Sequence, residues 1–522
     1  MSDYLCMRGI TKTYQAYGRE VRALKNVDFS VRRGTVHGLL GENGAGKSTL
    51  MKILSGVERM DSGTVTFNGE EVTLGNAMQA QKLGIGMVHQ HFSLIDDYTV
   101  AENVVLGMEP VKKLGFVDLK AQRAAAEEAA RQCGFTIDLD RKVGTLSMGE
   151  RQKVEIMRVV FSKADLLIFD EPTSVLVEQE IQGLLDTIRL LKESGKTIIY
   201  ISHKVEEVIS ITDDLTVLRY GESVRTDKTA AVDAAEIIRM MVGQTLSLHL
   251  DKTPANPGNI VLQANNLWVK NGLLDAVKHV SFTVRSGEIV AIAGINGNGQ
   301  PELLEVLFGL RKADKGSIRL MGKDITNLTP QKRRDAGMSY VPEDRIHVGS
   351  CATASVSENL LVDRRSKEPY SKHGFLKTKP LSDLSKQLID QYSIKVSGEN
   401  HIVGALSGGH IQRTILAREL SANPKVLLAS EVTMGLDVLS TRYVHETMLK
   451  LRDEGLGILL VSSNINEILA LADRILVIHD GALTASFVND DMVTREEIGE
   501  YMLGIKFMSE LTQGSEADDA AV

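Results

Sequence analysis

An α/β domain present twice in tandem is the architecture this 522-residue sequence predicts, on three observations. The first is internal repetition. "GTVHGLLGENGAGKSTLMKILSGVERMDSGTV" (34–65) lies over "GEIVAIAGINGNGQPELLEVLFGLRKADKGSI" (287–318), with Gly41 on Gly294, Lys47 on Gln300 and Gly56 on Gly309. "LGIGMVHQ" (83–90), "LSMGERQK" (146–153), "LLIFDEPTS" (166–174) and "IIYISHKVEEV" (198–208) then find counterparts at 336–343, 406–413, 426–434 and 458–468, in unchanged order. Four matches in one order mean a duplicated unit. The second observation is a set of short aliphatic runs, "VHGLL", "LLIFD" and "TIIYIS", which read as buried parallel strands with helices between them. The third is length, which exceeds what one core supports.

Taken in order, the first copy is expected at 1–244, a linker at 245–259, the second copy at 260–508 and a frayed tail at 509–522. Pro254, Pro257 and Gly258 punctuate the linker, and the small, acidic "QGSEADDAAV" (513–522) closes the tail. Each copy should carry a more helical insert, around 100–165 and 355–425. A net charge of −8 argues against nucleic acid as the main partner. Cys6, Cys133 and Cys351 stand far apart with no CxxC spacing, which suits a reducing compartment and no metal framework. No apolar run nears the ~20 residues that span a bilayer, and the opening "MSDYLCMRGITKTY" lacks the apolar stretch of a signal peptide. The expectation is a soluble, cytoplasmic chain.

The strongest chemical signal is "GENGAGKST", which fits G-x-x-x-x-G-K-[ST] and follows a strand-like run. Gly41, Glu42, Asn43, Gly44, Ala45 and Gly46 would wrap backbone amides around phosphate oxygens at a helix N-terminus. Lys47 would reach the outer phosphates, and the Ser48 hydroxyl, ahead of Thr49, would hold Mg²⁺. "LLIFDE" delivers Asp170 and Glu171 at a strand end, where such sheets bind ligands. Asp170 suits the second shell of magnesium, and Glu171 suits the base for an attacking water. His203, after "IIYIS", is positioned for the γ-phosphate, although a lone histidine at a strand end is more often structural. Tyr14 is a candidate to stack on adenine, with an exposed loop tyrosine as the plain alternative. His89 and His91 in "VHQHF" have no third ligand or cysteine pair to make a metal site.

The phosphate loop, "VHQ", "LSMGE" or "LSGGH", "FDE" and "SH", in this order, resemble the ATP-binding cassette ATPases across nearly the whole chain, twice over. The resemblance implies, for each copy, a RecA-like α/β core, an antiparallel β part and a helical subdomain. It also implies that two cassettes close head to tail, each nucleotide lying between the loop of one and the signature of the other. Internal pairing would then replace dimerisation. One site would join Gly41–Thr49, Gln90 (also a magnesium ligand), Asp170, Glu171 and His203 to Ser407, Gly408, Gly409 and His410, with "GLD" (435–437) as the D-loop.

The other site would join "GINGNGQPE" (294–302) to "LSMGE" (146–150), and there the losses converge. Gln300 removes the cation, and Pro301 removes a hydroxyl and a backbone donor. Ser430 replaces the magnesium-linked aspartate, Ser463 the histidine, and Asn271 the adenine-stacking tyrosine. Glu343 stands at the place of Gln90, and Glu150 would turn a negative charge towards phosphate. Glu431 remains. One site is expected to hydrolyse ATP.

Twin cassettes with a degraded second loop resemble the ATPase subunits of bacterial importers for simple sugars and nucleosides. "GMVHQHFSLIDDYTVAENVVLG" (86–107), "LSMGERQKVEI", "DEPTSVL" and "YVPEDR" look like the nucleoside branch more than the ribose or galactose branch. "SVLV" (174–177) departs from the small polar end of a D-loop. By resemblance the partners are two integral-membrane permease subunits and an extracellular or lipoprotein solute-binding protein, with the chain on the cytoplasmic face of the membrane. A ribosome-associated translation factor is the reading of another class. Those factors resemble each other in two intact phosphate loops and a long, basic linker, and this linker is short and not basic. A nucleotide-gated scaffold without turnover is disfavoured by the presence of Lys47, Asp170, Glu171 and His203.

Overall fold

The computed structural model describes residues 3–16, 19–89, 93–112, 115–173, 176, 178–243, 250, 252–272, 274–295, 297–364, 368–373, 375–490 and 492–508. The chain divides into two compact units, Met1–Ser247 and Leu248–Val522.

In the first unit, Val36–Leu40, Leu166–Asp170 and Thr197–Ser202 are buried at every position. Runs buried on both faces make central parallel strands, not alternating surface strands. They lie together in a six-stranded sheet ordered Glu222–Lys228, Asp214–Arg219, Val36–Leu40, Thr197–Ser202, Leu166–Asp170, Ile85–Val88. All neighbours are parallel except the first pair. Leu40 pairs with Ser202 and Asp170 with Ile201, so the three central strands end side by side. That alignment puts the segments after Leu40, Asp170 and Ser202 at one rim.

A second, antiparallel sheet orders Arg19–Val31, Leu5–Ala16, Ser62–Phe67 and Glu70–Glu71. Gly46 joins this sheet to the phosphate loop. Its φ is +104°, and a Cβ there would lie 2.7 Å from Leu24 Cδ2 and 2.8 Å from the Ala23 carbonyl oxygen. Only glycine suits that approach. The helical insert comprises Val100–Val105, Leu119–Cys133 and Met148–Phe161. The first of these starts in a capping box, Thr99 with Glu102.

The second unit repeats the plan. Its four-stranded sheet orders Leu274–Arg285, Ile260–Asn271, Lys315–Leu320 and Lys323–Asp324. Its six-stranded sheet runs Met338–Val341, Val426–Ser430, Gly457–Ser462, Ile289–Ala293, Arg474–His479, Ala482–Val488. Alternate residues of one strand feed opposite cores: Ile289, Ala291 and Ala293 face one cluster, Val290 and Ile292 the other. The insert is Val356–Leu361, Thr378–Gln391 and Gly408–Leu420, opened by the capping box Ser355–Glu358. The loop backbone is kept as well: Gly297 and Gly299 have φ of 94° and 93°, against 82° and 104° at Gly44 and Gly46. The predicted α/β cores and helical inserts are therefore present in both units, with the antiparallel sheets that the family resemblance implied. No helix among the described residues is long and apolar enough to cross a membrane.

Candidate active site

Strand ends assemble the site in the first unit. The helix Lys47–Leu54 begins directly after the glycine loop, so its first residue points back into the loop. Lys47 is 5% exposed, and its Nζ donates to the carbonyl oxygens of Gly41 (2.7 Å) and Glu42 (3.1 Å). It also lies 3.8 Å from Glu171 Oε1. His203, just past its strand, meets the same Glu171 oxygen through Nδ1 at 3.2 Å. Ser48 Oγ donates to Asp170 Oδ1 at 3.5 Å. Lys47, Ser48, Asp170, Glu171 and His203 thus form one connected group. Gln90 lies outside the described residues.

The two acids differ in electrostatics although they are neighbours. Burial pushes the Asp170 carboxyl up, and the Glu171 charge adds to it. Burial pushes on Glu171 too. There the His203 hydrogen bond, with the His203, Lys47 and Lys204 charges behind it, wins and holds the carboxyl below its usual range. Glu171 is therefore ionised and oriented, as a base must be. The Ser48 hydroxyl and Asp170 carboxylate form an oxygen pair of the hard type that magnesium takes. The residues present fit that ion. Tyr14 lies on Leu5–Ala16 with the Lys12 ammonium 5.2 Å from its ring centroid.

The corresponding place in the second unit is rewired. Gln300 Nε2 donates to the Ile295 carbonyl oxygen at 2.9 Å, and Gln300 Oε1 is buried without a hydrogen bond among the described residues. Pro301 enters the first turn of the helix, and Glu302 accepts from Asn271 Nδ2 at 2.9 Å. Glu431 keeps a left-handed backbone, φ 44° against 47° at Glu171. Its carboxyl accepts the Ser463 backbone N–H at 2.6 Å. Burial, then the Glu467 charge, push it up to about 7. Magnesium does not fit here, because Pro301 offers no hydroxyl where Ser48 stands and Ser430 no carboxylate where Asp170 stands.

The signature turns also differ. In the first unit, Ser147 caps its helix, accepting from Glu150 N at 3.2 Å while its own N–H donates to Glu150 Oε2 at 2.9 Å. Arg141 Nη1 holds the other Glu150 oxygen at 2.8 Å. The Glu150 carboxylate is thus engaged within its own unit. In the second unit, Ser407 precedes Gly408–Leu420 with no side-chain cap and no acid in the first turn. His410 instead accepts the Lys395 N–H at 3.3 Å. Gly409 packs so closely on the Ser440 hydroxyl that a Cβ would collide with it.

Sequence reasoning missed a buried carboxylate behind each strand-end glutamate. Glu207 accepts from Tyr200 and Thr173, both at 2.8 Å. Glu467 accepts from Thr433 and Ser462, both at 2.7 Å, and meets His445 at 3.0 Å. The signal was available, since the repeat alignment places these glutamates on one another.

Comparison with known proteins agrees with this geometry. A family model described as ABC transporter matches residues 24–174 and 277–434. A nucleoside import ATP-binding protein of Lactococcus lactis subsp. cremoris (strain MG1363) is 41% identical over 92% of this chain and 94% of that protein. A ribose import ATP-binding protein of L. lactis subsp. cremoris (strain SK11) is 38% identical over 96% of this chain and 99% of its own. In fold alone, an archaeal ribosome recycling factor, solved with a ribosomal stalk protein, is similar at a TM-score of 0.61. It is 20% identical and covers 95% of this chain and 92% of that one. With an intact phosphate loop, an oriented acid at the strand end beside it, and this extent of identity, the chain belongs to the ABC transporter family as an ATP-binding ATPase.

Proposed function

We propose that the chain energises an importer for nucleosides, hydrolysing ATP at a single competent site to which both copies contribute. In this reading Gly41–Thr49, Gln90, Asp170, Glu171 and His203 hold the nucleotide, Tyr14 stacks on its base, and Ser407, Gly408, Gly409 and His410 close over the outer phosphate. One observation carries it. Lys47 and His203 converge on Glu171 at 3.8 and 3.2 Å, whereas Glu431 has serine and glutamine at the matching places and is pushed up to about 7.

The chemistry follows from that contrast. Loop amides and Lys47 bind the phosphates, and Glu171 accepts the proton of the attacking water while His203 fixes its orientation. Ser48 and Gln90, with Asp170 behind them, would hold magnesium, which would supply neutralisation of phosphate charge. A second set of backbone amides at Ser407–Gly409 adds charge stabilisation from the opposite side. Closure on ATP and reopening after hydrolysis would move two integral-membrane permease subunits, pressed by the segment 91–104. A solute-binding protein outside would load the cargo, and the chain would sit at the cytoplasmic face of the membrane.

Nucleosides are favoured because the nucleoside import relative is 41% identical and the ribose import relative 38%. Ribose-type sugars remain the second reading on that narrow margin. Reconstitution with the permease pair and binding protein separates them: nucleoside, not ribose, should stimulate ATPase activity. The site itself is tested by paired substitutions. Glu171→Gln should lower turnover by ~10²–10⁴-fold, roughly 3–5 kcal/mol of barrier, while Glu431→Gln changes it little. Equal losses would refute a single site.

A further inference from the structure

Arg345 follows the strand Met338–Val341 in "VPEDR", and its guanidinium stands between two turns. A Cβ on Gly408 would lie 3.2 Å from Arg345 Nη1, and one on Gly435 3.8 Å from Nη2. Gly408 opens the signature helix, and Gly435 begins "GLD". Among the described residues, no hydrogen bond or ion pair engages the guanidinium. Its neighbour Asp344 is committed elsewhere, accepting from the backbone N–H groups of Ile346 and His347 and from His347 Nδ1, each at 2.9 Å. Burial pushes Arg345 down, and only the Asp344 charge opposes it. A partly buried cation with five unused donors is costly unless an anion meets it. Beside it, the Ser407 hydroxyl also caps nothing.

The first unit has neither feature. The repeat alignment that sets Val88 on Val341 puts Phe92 at the place of Arg345, and Glu150 already fills the first turn of that signature helix. At this aligned position the copy with the open signature has the cation and the other has phenylalanine. We propose that Arg345 is a further nucleotide-contacting residue, a guanidinium that the second copy presents to the outermost phosphate of ATP together with Ser407 and Gly409. The proposal rests on the head-to-tail reading above. A planar guanidinium binds phosphate oxygens in pairs, and charge delivered opposite Lys47 stabilises the phosphoryl group in transfer. ADP lacks the oxygens that Arg345 would hold.

The test uses the full-length chain carrying Glu171→Gln, with Mg-ATP and Mg-ADP binding measured after adding Arg345→Gln, Arg345→Lys or Gly408→Asp. Arg345→Gln should weaken ATP by about tenfold or more and leave ADP unchanged, with Arg345→Lys recovering part of the loss. With Glu171 intact, Arg345→Gln should lower turnover by about 10²-fold. If Arg345→Gln weakened ATP and ADP alike, its role would be structural and the proposal would fall. If Gly408→Asp weakened ATP and Arg345→Gln did not, the proposal would fall and the head-to-tail reading would stand. If neither moved ATP affinity, both would fall.

Discussion

Glu171 and Glu431 show how far the surroundings of a carboxyl can diverge on nearly the same backbone. Each follows a fully buried strand, each has a positive φ, and each N–H donates to the neighbouring strand, Ile201 at 3.0 Å and Val461 at 2.9 Å. The cations around them differ. Lys47 and His203 hold Glu171 ionised, and without them burial raises Glu431 to about 7. A carboxyl raised on folding contributes stability that is complete below its unfolded value and lost as pH rises through about 7. Glu431→Gln removes that loss. The variant should gain on the order of 3 kcal/mol over the parent above about pH 8, and close to nothing at about pH 4, by denaturant unfolding of the second unit. A gain of equal size at both pH values would show that the carboxyl is not the titrating group. Among single residues, the motifs were legible because strand-end chemistry stands in short runs of sequence. Arg345 was not, because its meaning depends on Gly408 and Gly435, which are distant in the chain.

At the scale of the element, the two signature helices begin differently. Ser147 with Glu150 forms a capping box, so Ser147→Ala should cost the first unit about 1 kcal/mol and leave catalysis nearly intact, by denaturation and ATPase assay. Ser407 caps nothing, so Ser407→Ala should cost little stability and lower turnover by about tenfold or more. The reverse pattern would mean that the open and closed turns have been assigned wrongly. Here the sequence was legible in part. S-x-x-E at 147–150 has the spacing of a capping box, yet read beside a phosphate site it suggested a charge aimed at nucleotide. Its use by Arg141 becomes visible only in the fold. The antiparallel sheets were hidden for another reason. Register shifts at Met7/Ile10, Ile10/Lys12 and Lys12/Thr13 interrupt the strict alternation that marks a half-buried strand.

For the whole molecule, duplication explains why a loop survives its chemistry. Burial of the central strands and left-handed glycines such as Gly46 and Gly299 specify the cassette. The second copy keeps that architecture with Gln300, Pro301, Ser430 and Ser463 where the first has Lys47, Ser48, Asp170 and His203, so those four side chains are not needed for the fold. Repetition made that architecture legible from sequence, while an ATP site carries no imprint of a transported solute. The central claim, one hydrolytic site per chain, is tested most directly by counting ADP trapped with vanadate, a phosphate mimic, in the full assembly. The account predicts one trapped ADP per chain, abolished by Lys47→Ala and preserved by Gln300→Ala. Two per chain, or trapping that survives Lys47→Ala, would contradict it.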